Sequence, residues 1–233
     1  MSAEWQDSII AEYIRQRPSI DVWHTAVRRT FEVAPELHLP PLPVIHSIKG
    51  RLKDPEHLRG KLSRKREEGE DVTKDTLFDQ ITDLAGVRVL HLHQTQFPAI
   101  HGMIDQKVQD GDWVLGEAAV AYSWDPDAQS FFEKFGLDVK IKESAYTSVH
   151  YQIRAPGGNR AMCCEVQVRT LFEEIWGEID HSINYPTPAI SKACQEQLRV
   201  LARLVSTGTR LVDSIFSTYV EHSELTRLQD LPD

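Results

Sequence analysis

The stretch Tyr146–Thr170, YTSVHYQIRAPGGNRAMCCEVQVRT, decides the fold. Two runs of alternating residues flank APGGNR, a turn-forming segment, and this pattern predicts a β-hairpin. Because side chains alternate across a strand, Tyr146, Ser148, His150 and Gln152 are expected on one face. Thr147, Val149, Tyr151 and Ile153 fall on the other. In the second strand Cys163, Glu165, Gln167 and Arg169 oppose Cys164, Val166 and Val168. One face suits a core. The other gathers a carboxylate, amides, an imidazole, a phenol and a guanidinium. Solvated strand faces favour Lys, Glu and Thr, so this set of mid-sized hydrogen-bonding groups reads as the floor of a pocket.

Working outward, a helix is expected from Thr170 to Asn184, with Glu174, Glu178, His181 and Tyr185 along one side and Pro186 and Pro188 as its stop. A long helical pattern follows from Ser191 to Leu228, interrupted at Gly208. Upstream, Gly86–His93 reads as a strand, Gln96–Asp110 as a helix, and the stretch from there to Gly136 has no clear period. A short strand is expected over Ile45–Lys53 and a helix over Pro55–Arg66, where proline suits the first turn. Residues 2–17 and 19–33 read as two helices separated at Pro18-Ser19, and Pro35, Pro40, Pro41 and Pro43 mark a loop. The predicted class is α+β, a mixed sheet flanked by helices. Its expected organisation is N-terminal helices over 1–40, a central domain over 41–188 and a helical segment over 189–233.

Composition bounds the function. The 233 residues are 41% hydrophobic and 26% charged, with a formal net charge of −9. That is a globular composition, and the acidity argues against a general nucleic-acid coat. No apolar run approaches the ~20 residues that span a bilayer, and MSAEWQDSII lacks a secretory pattern. Three cysteines without a CxxC pair fit neither a disulfide framework nor a structural zinc site. A cytoplasmic location is expected. The charge is uneven, however. Lys49–Arg66 carries eight Lys or Arg against Asp54 and Glu56, which suits a local anionic ligand such as a nucleotide.

Phosphoryl or pyrophosphoryl transfer needs carboxylates for Mg²⁺, cations along the phosphates and a base for the attacking hydroxyl. Asp83 and Glu165 are candidate Mg²⁺ carboxylates, and Arg51, Lys53 and Lys61 a candidate phosphate clamp. Neither a Walker A pattern nor GxGxxG occurs. His91-x-His93 reads as structural rather than metal-binding.

Four motifs in order, ITDLAGVRV (81–89), AYTSVH (145–150), EVQVRT (165–170) and WGEIDHSINY (176–185), resemble the synthetase domain of the RelA/SpoT family. The resemblance runs from about Ile45 to Tyr185. It implies a nucleotidyltransferase-like sheet and transfer of pyrophosphate from ATP to the 3′-hydroxyl of GDP or GTP, making (p)ppGpp. By that resemblance Arg51 and Arg88 would sandwich adenine, and Lys53 and Lys61 would contact the ATP phosphates. Asp83 and Glu165 would be the catalytic pair that holds Mg²⁺, with Glu165 activating the acceptor hydroxyl. Tyr146 would stack on the acceptor base, Lys142 and His150 would lie near its phosphates or ribose, and Gln167 and Arg169 would complete the face. Glu178 and His181 would brace it.

The acceptor half departs from the family pattern N-G-Y-R-S-L-H. Ala145 stands for the glycine and Thr147 for the arginine. His57 stands where serine is usual in the ATP segment, and Pro186 follows Tyr185 in place of lysine. The expectation is a stand-alone synthetase without a hydrolase domain. Its alternatives are a toxic relative that pyrophosphorylates the 3′ end of tRNA and has an antitoxin partner, and an inactive nucleotide-binding module. Homo-oligomers are common among small members.

Overall fold

The hairpin forms the centre of the sheet, as strands β6 (Ser148–Arg154) and β7 (Cys163–Thr170). The computed structural model describes residues 2–40, 42–184 and 191–229. Tyr185, Pro186 and Pro188, expected to close the helix after the hairpin, lie outside the described residues. The remaining strands are β1 (Ser47–Leu52), β2 (Ala85–His91), β3 (Val114–Leu115), β4 (Val120–Tyr122) and β5 (Asp138–Lys140). They order as β1-β2-β7-β6-β4-β5, with β3 pairing the far end of β6. The β2/β7 and β4/β5 pairs are parallel and the others antiparallel. This is the mixed sheet expected. The stretch without a clear period holds β3, β4 and the helix α5 (Pro126–Glu133), after α4 (Phe97–Gln109).

One sheet face is apolar. Val87, Val89, Val149, Tyr151, Ile153, Val166 and Val168 are all 0–1% exposed and form the main core. Helix α1 (Ser2–Val33) crosses this face. It is anchored where Trp23 Nε1 donates to the Ile153 carbonyl at 3.0 Å and the Tyr13 hydroxyl to the Lys53 carbonyl. The expected break at Pro18 is overturned: α1 is one helix with Pro18 inside it. Pro18 sits on the exposed side, whereas Ile9, Tyr13, Ile20, Trp23, Val27 and Phe31 form one buried stripe across it. An interior proline costs about 3 kcal/mol, and each large buried apolar side chain returns roughly 1.5–3 kcal/mol. The stripe wins.

The opposite face is polar and lies beside α6 (Leu171–Asn184), which is followed by α7 (Lys192–Gln229). Thr170 and Glu173 cap α6 reciprocally: the Thr170 amide donates to Glu173 Oε2 at 2.6 Å and the Glu173 amide to Thr170 Oγ1 at 3.3 Å. Gly208 does not interrupt α7, contrary to expectation. A Cβ there would stand 2.7 Å from the Phe172 ring, so the glycine lets α7 lie close against Phe172 of α6. A second cluster of Trp176, Ala202 and Val205 joins the two helices. Short α2 (Pro55–Glu67), N-capped by Asp54, and α3 (Leu77–Gln80) complete the fold.

Candidate active site

The strand register assembles the polar face in rows. Arg51 pairs with Gly86, Gly86 with Glu165, and Glu165 with Gln152. The next row runs Lys49, Arg88, Gln167 and His150. Four separate strands thus bring the expected residues to one surface, because every second residue of each points the same way.

Above these rows is a cleft of about 310 Å³, whose lining includes Arg51, Asp83, Arg88, Glu165, Gln167 and Glu178. A second cleft of about 230 Å³ is lined by Tyr146, Arg169 and Asp180, and shares Arg88, Gln167 and His181 with the first. Two recesses therefore meet at a common wall. His91 and His93 take no part: His91 is buried and its Nδ1 bonds the His93 carbonyl oxygen at 2.9 Å, while His93 stacks on Phe216. A separate 40 Å³ void between α5, α6 and α7 is lined by Thr147 and Trp176 among others and holds none of the site's cations.

Asp83 lies just before β2. Its Oδ2 accepts from Lys53 Nζ at 2.6 Å and its Oδ1 from Lys61 Nζ at 2.8 Å. Burial opposes ionisation of Asp83, but Lys61 and Lys53 outweigh it and hold the carboxyl down at about 2. Lys53 is itself buried, and that burial pulls its ammonium down against the support of Asp83. Glu165 is likewise kept low despite burial, chiefly by His150, whose Nδ1 lies 3.7 Å from Glu165 Oε2. Gln167 Nε2 donates to the other Glu165 oxygen.

Strand β6 begins at Ser148, so Tyr146 lies in the preceding turn rather than on the strand as expected. Its hydroxyl still reaches His150 Nε2 at 2.9 Å. The ring has Trp176 at 6.3 Å and the Arg169 guanidinium carbon at 5.8 Å. The turn turns on Ala145, whose φ is +62°. This is the left-handed region that glycine enters without penalty, at the position where the family pattern carries glycine. Lys142 does not line either cleft. Its ammonium lies over the Tyr122 and Tyr146 rings, 4.0 and 4.5 Å from their centroids.

The residue that the sequence expectations left out of the site is Glu174. It is buried, accepts from Lys49 Nζ at 2.8 Å and Arg88 at 3.1 Å, and pairs with Arg169 at 2.8 Å. Burial raises its carboxyl, but Arg169, Lys49 and Arg88 bring it below the ordinary value. Arg88 is also held by Glu178, so α6 is tied to three strands of the site. Gly177 permits this approach, since a Cβ there would lie 2.7 Å from the Arg169 guanidinium. The spacing of Glu174, Glu178 and His181 along one side of α6 was the available signal.

Two carboxylates on one cleft suit a hard cation. Lys53 and Lys61 each occupy one lone pair of the Asp83 oxygens, and a carboxylate has about four. Mg²⁺ usually takes one or two carboxylates with phosphate oxygens and water, so Asp83 and Glu165 fit. Among the described residues no group of three or more metal-binding side chains occurs.

This strand order brings acidic and basic groups together on one polar face of a mixed sheet. The family described as "Region found in RelA / SpoT proteins" matches residues 50–189, and the chain belongs to it. Among solved structures it is similar to the small alarmone synthetase 1 from Bacillus subtilis, with 18% identity, a TM-score of 0.65, and coverage of 91% of this chain and 96% of that one. The same Bacillus subtilis protein bound to its product pppGpp gives 17% identity, a TM-score of 0.63, and 89% and 95% coverage. A GTP pyrophosphokinase family protein from Streptococcus pneumoniae gives 21% identity, a TM-score of 0.61, and 97% and 98% coverage. No match was found among curated protein sequences. Among the described residues no helix is long and apolar enough to cross a membrane.

Proposed function

We propose that the chain transfers the β,γ-pyrophosphate of ATP to the 3′-hydroxyl of GDP or GTP, forming (p)ppGpp and AMP. The observation that carries this reading is the pair of adjoining clefts. One holds Arg51, Asp83, Arg88 and Glu165, the other Tyr146 and Arg169, and Arg88, Gln167 and His181 divide them. A two-substrate transfer needs this arrangement, donor and acceptor on either side of a shared wall. Family membership and the likeness to a synthetase bound to pppGpp support it.

In this reading Arg51 and Arg88 flank the adenine, and Lys53 and Lys61 pass from Asp83 to the phosphates as these enter. Asp83 and Glu165 would hold Mg²⁺, which when bound neutralises phosphate charge. Glu165, ionised and fixed by Gln167 and His150, takes the acceptor hydroxyl proton. Tyr146 orients the acceptor base. In the basic run Arg59 pairs with Asp7, Lys65 with Glu70, and Arg66 stacks on Trp5.

The test supplies labelled ATP and Mg²⁺ with GDP, GTP or deacylated tRNA and follows AMP release. Labelled (p)ppGpp is expected. Label on tRNA alone, or no AMP with any acceptor, would overturn the reading.

A further inference from the structure

Strand β1 stands at the edge of the sheet, paired with β2, yet it carries Lys49 and Arg51 and is followed at once by Lys53. An edge strand has one free side, so the position of these cations depends on what backs the strand. Helix α1 backs it at two points. His24 packs beneath Gly50, where a Cβ would lie 2.6 Å from the imidazole Nε2. Nearer the N-terminus of α1, the fully buried Tyr13 donates its hydroxyl to the Lys53 carbonyl at 2.5 Å. Burial holds this phenol above its ordinary value, against the nearby Arg17, so it stays protonated and remains a donor.

The Lys53 peptide is the joint between β1 and α2. Its amide donates to the Leu84 carbonyl at 2.8 Å, and Asp54, directly after it, caps α2, the helix that presents Lys61. Both lysines converge on Asp83, at 2.6 and 2.8 Å. The Lys53 side chain is 8% exposed, so packing holds its stem and the reach of its ammonium follows the backbone. Fixing this one joint therefore sets the origin of both cations. Tyr13 lies outside the residues matched by the family, 50–189, and lines neither cleft.

We infer that Tyr13 is a positioning residue for the donor phosphates: it holds the β1–α2 joint from the apolar side of the sheet, so that Lys53 and Lys61 can pass from Asp83 to phosphate oxygens on a fixed backbone. A shift of that joint would lengthen both charge-assisted contacts together, and misplacement by about 1 Å is costly in transfer reactions. This inference rests on the proposed reading, in which these lysines receive the phosphates of ATP. It makes α1 part of the donor site rather than only a cover for the core.

The decisive comparison sets Tyr13→Phe beside Trp23→Phe. The first keeps the ring and loses only the hydroxyl. The second breaks the other anchor of α1, the bond to the Ile153 carbonyl on β6, three strands from β1. The full chain is titrated calorimetrically, with Mg²⁺, against α,β-methylene ATP, in which carbon replaces the bridging oxygen of the bond to be broken. Affinity should fall about five- to tenfold in Tyr13→Phe, the scale of one hydrogen bond, and stay unchanged in Trp23→Phe. Titration with GDP should be unchanged in both, and melting scans should show both folded. Equal affinity for the analogue in Tyr13→Phe and the wild type overturns the inference. An equal loss in Trp23→Phe, an equal loss for GDP, or a Tyr13→Phe chain that does not fold also overturns it, since each makes the hydroxyl a support of the whole fold. A wild type that does not bind the analogue is a different failure: it removes the donor reading itself, and the inference with it. Where turnover occurs, the Michaelis constant for ATP should rise in Tyr13→Phe while that for GDP holds, and the reverse pattern overturns the assignment to the donor.

Discussion

Replacing Glu174 by glutamine tests whether the site is held together by α6. The substitution keeps volume and one acceptor oxygen but removes the charge that faces Lys49, Arg88 and Arg169. The side chains of Glu174 and Arg169 are 6% and 3% exposed, whereas those of Lys49 and Arg88 are 55% and 24%. Breaking a buried pair costs about 3–5 kcal/mol because the remaining charge is left in a poorly hydrated place. The exposed partners add little, and the retained oxygen favours the lower end, about 3 kcal/mol. For a chain of this size that is a fall of roughly 6–12 °C in Tm. The pH dependence carries a second check. The folded carboxyl is depressed, so its stabilisation is complete above the ordinary glutamate value of 4.5 and is lost as pH falls below it through the folded value. Urea unfolding of both proteins should show the full gap at pH 7 and a narrowing gap on acidification. A loss under about 1 kcal/mol, or a gap constant down to acid unfolding, would refute the assignment. Adding Arg169→Met should recover part of the loss, because no buried cation then lacks a partner.

Ala145→Gly relieves a left-handed alanine and should stabilise by about 0.5–1 kcal/mol, read by thermal melting; a lower Tm would show that the methyl's packing beside Trp124 and Trp176 dominates. Gly208→Ala inserts a methyl where the Phe172 ring lies 2.7 Å away and should cost about 1–3 kcal/mol by urea unfolding. Asp83→Asn strips Lys53 and Lys61 of their partner. It should abolish turnover and lower stability at pH 7, and because the folded carboxyl is depressed, the wild-type advantage should fade only between pH 3.8 and about 2. Tyr146→Phe removes the hydrogen bond to His150 but keeps the ring, so it should retain most acceptor use. Tyr146→Ala should lose acceptor use with ATP binding intact; a cooperative collapse of stability in the Ala variant would make the ring a core residue instead.

The hairpin was legible because strand alternation is strict and both its faces have distinct chemistry: Val166 and Val168 could only face a core, and Glu165 and Gln167 only a polar surface. The strands β3, β4 and β5 were not legible, since two or three residues cannot display a period. At Pro18 and Gly208 local propensity pointed to breaks that tertiary packing overrides. A proline on the exposed side of a helix loses its hydrogen bond where water can serve, and a glycine against Phe172 is there for closeness, not for flexibility. Most residues of the candidate site were legible from their motifs, but their pairing was not. Nothing in the spacing of Lys49, Arg88, Arg169 and Glu174 shows that one carboxylate holds three cations, because those contacts cross from strands to a helix far along the chain.

That pairing also determines how the two substrates would be received. In the donor cleft Lys53 and Lys61 are already bonded to Asp83, so phosphates must compete with a carboxylate held near a pKa of 2. Their net gain is smaller than the bare charge suggests, since one charge-assisted bond is exchanged for another. Arg51, which has no carboxylate partner among the described residues, would lose nothing on binding and in the proposed reading is the group through which the donor first gains affinity. The acceptor side is built oppositely. Lys142 has the Tyr122 and Tyr146 rings against its ammonium, and the charge of Glu165 offsets its burial only in part, so an anion arriving beside it would relieve a desolvation cost instead of displacing a bond. Salt should therefore weaken donor binding through Arg51 and acceptor binding through Lys142, and spare the contacts of Lys53 and Lys61, which Asp83 already screens. Michaelis constants for ATP measured from low to physiological ionic strength should show a smaller slope in Arg51→Met than in the wild type, and equal slopes would contradict the role given to the unpaired guanidinium.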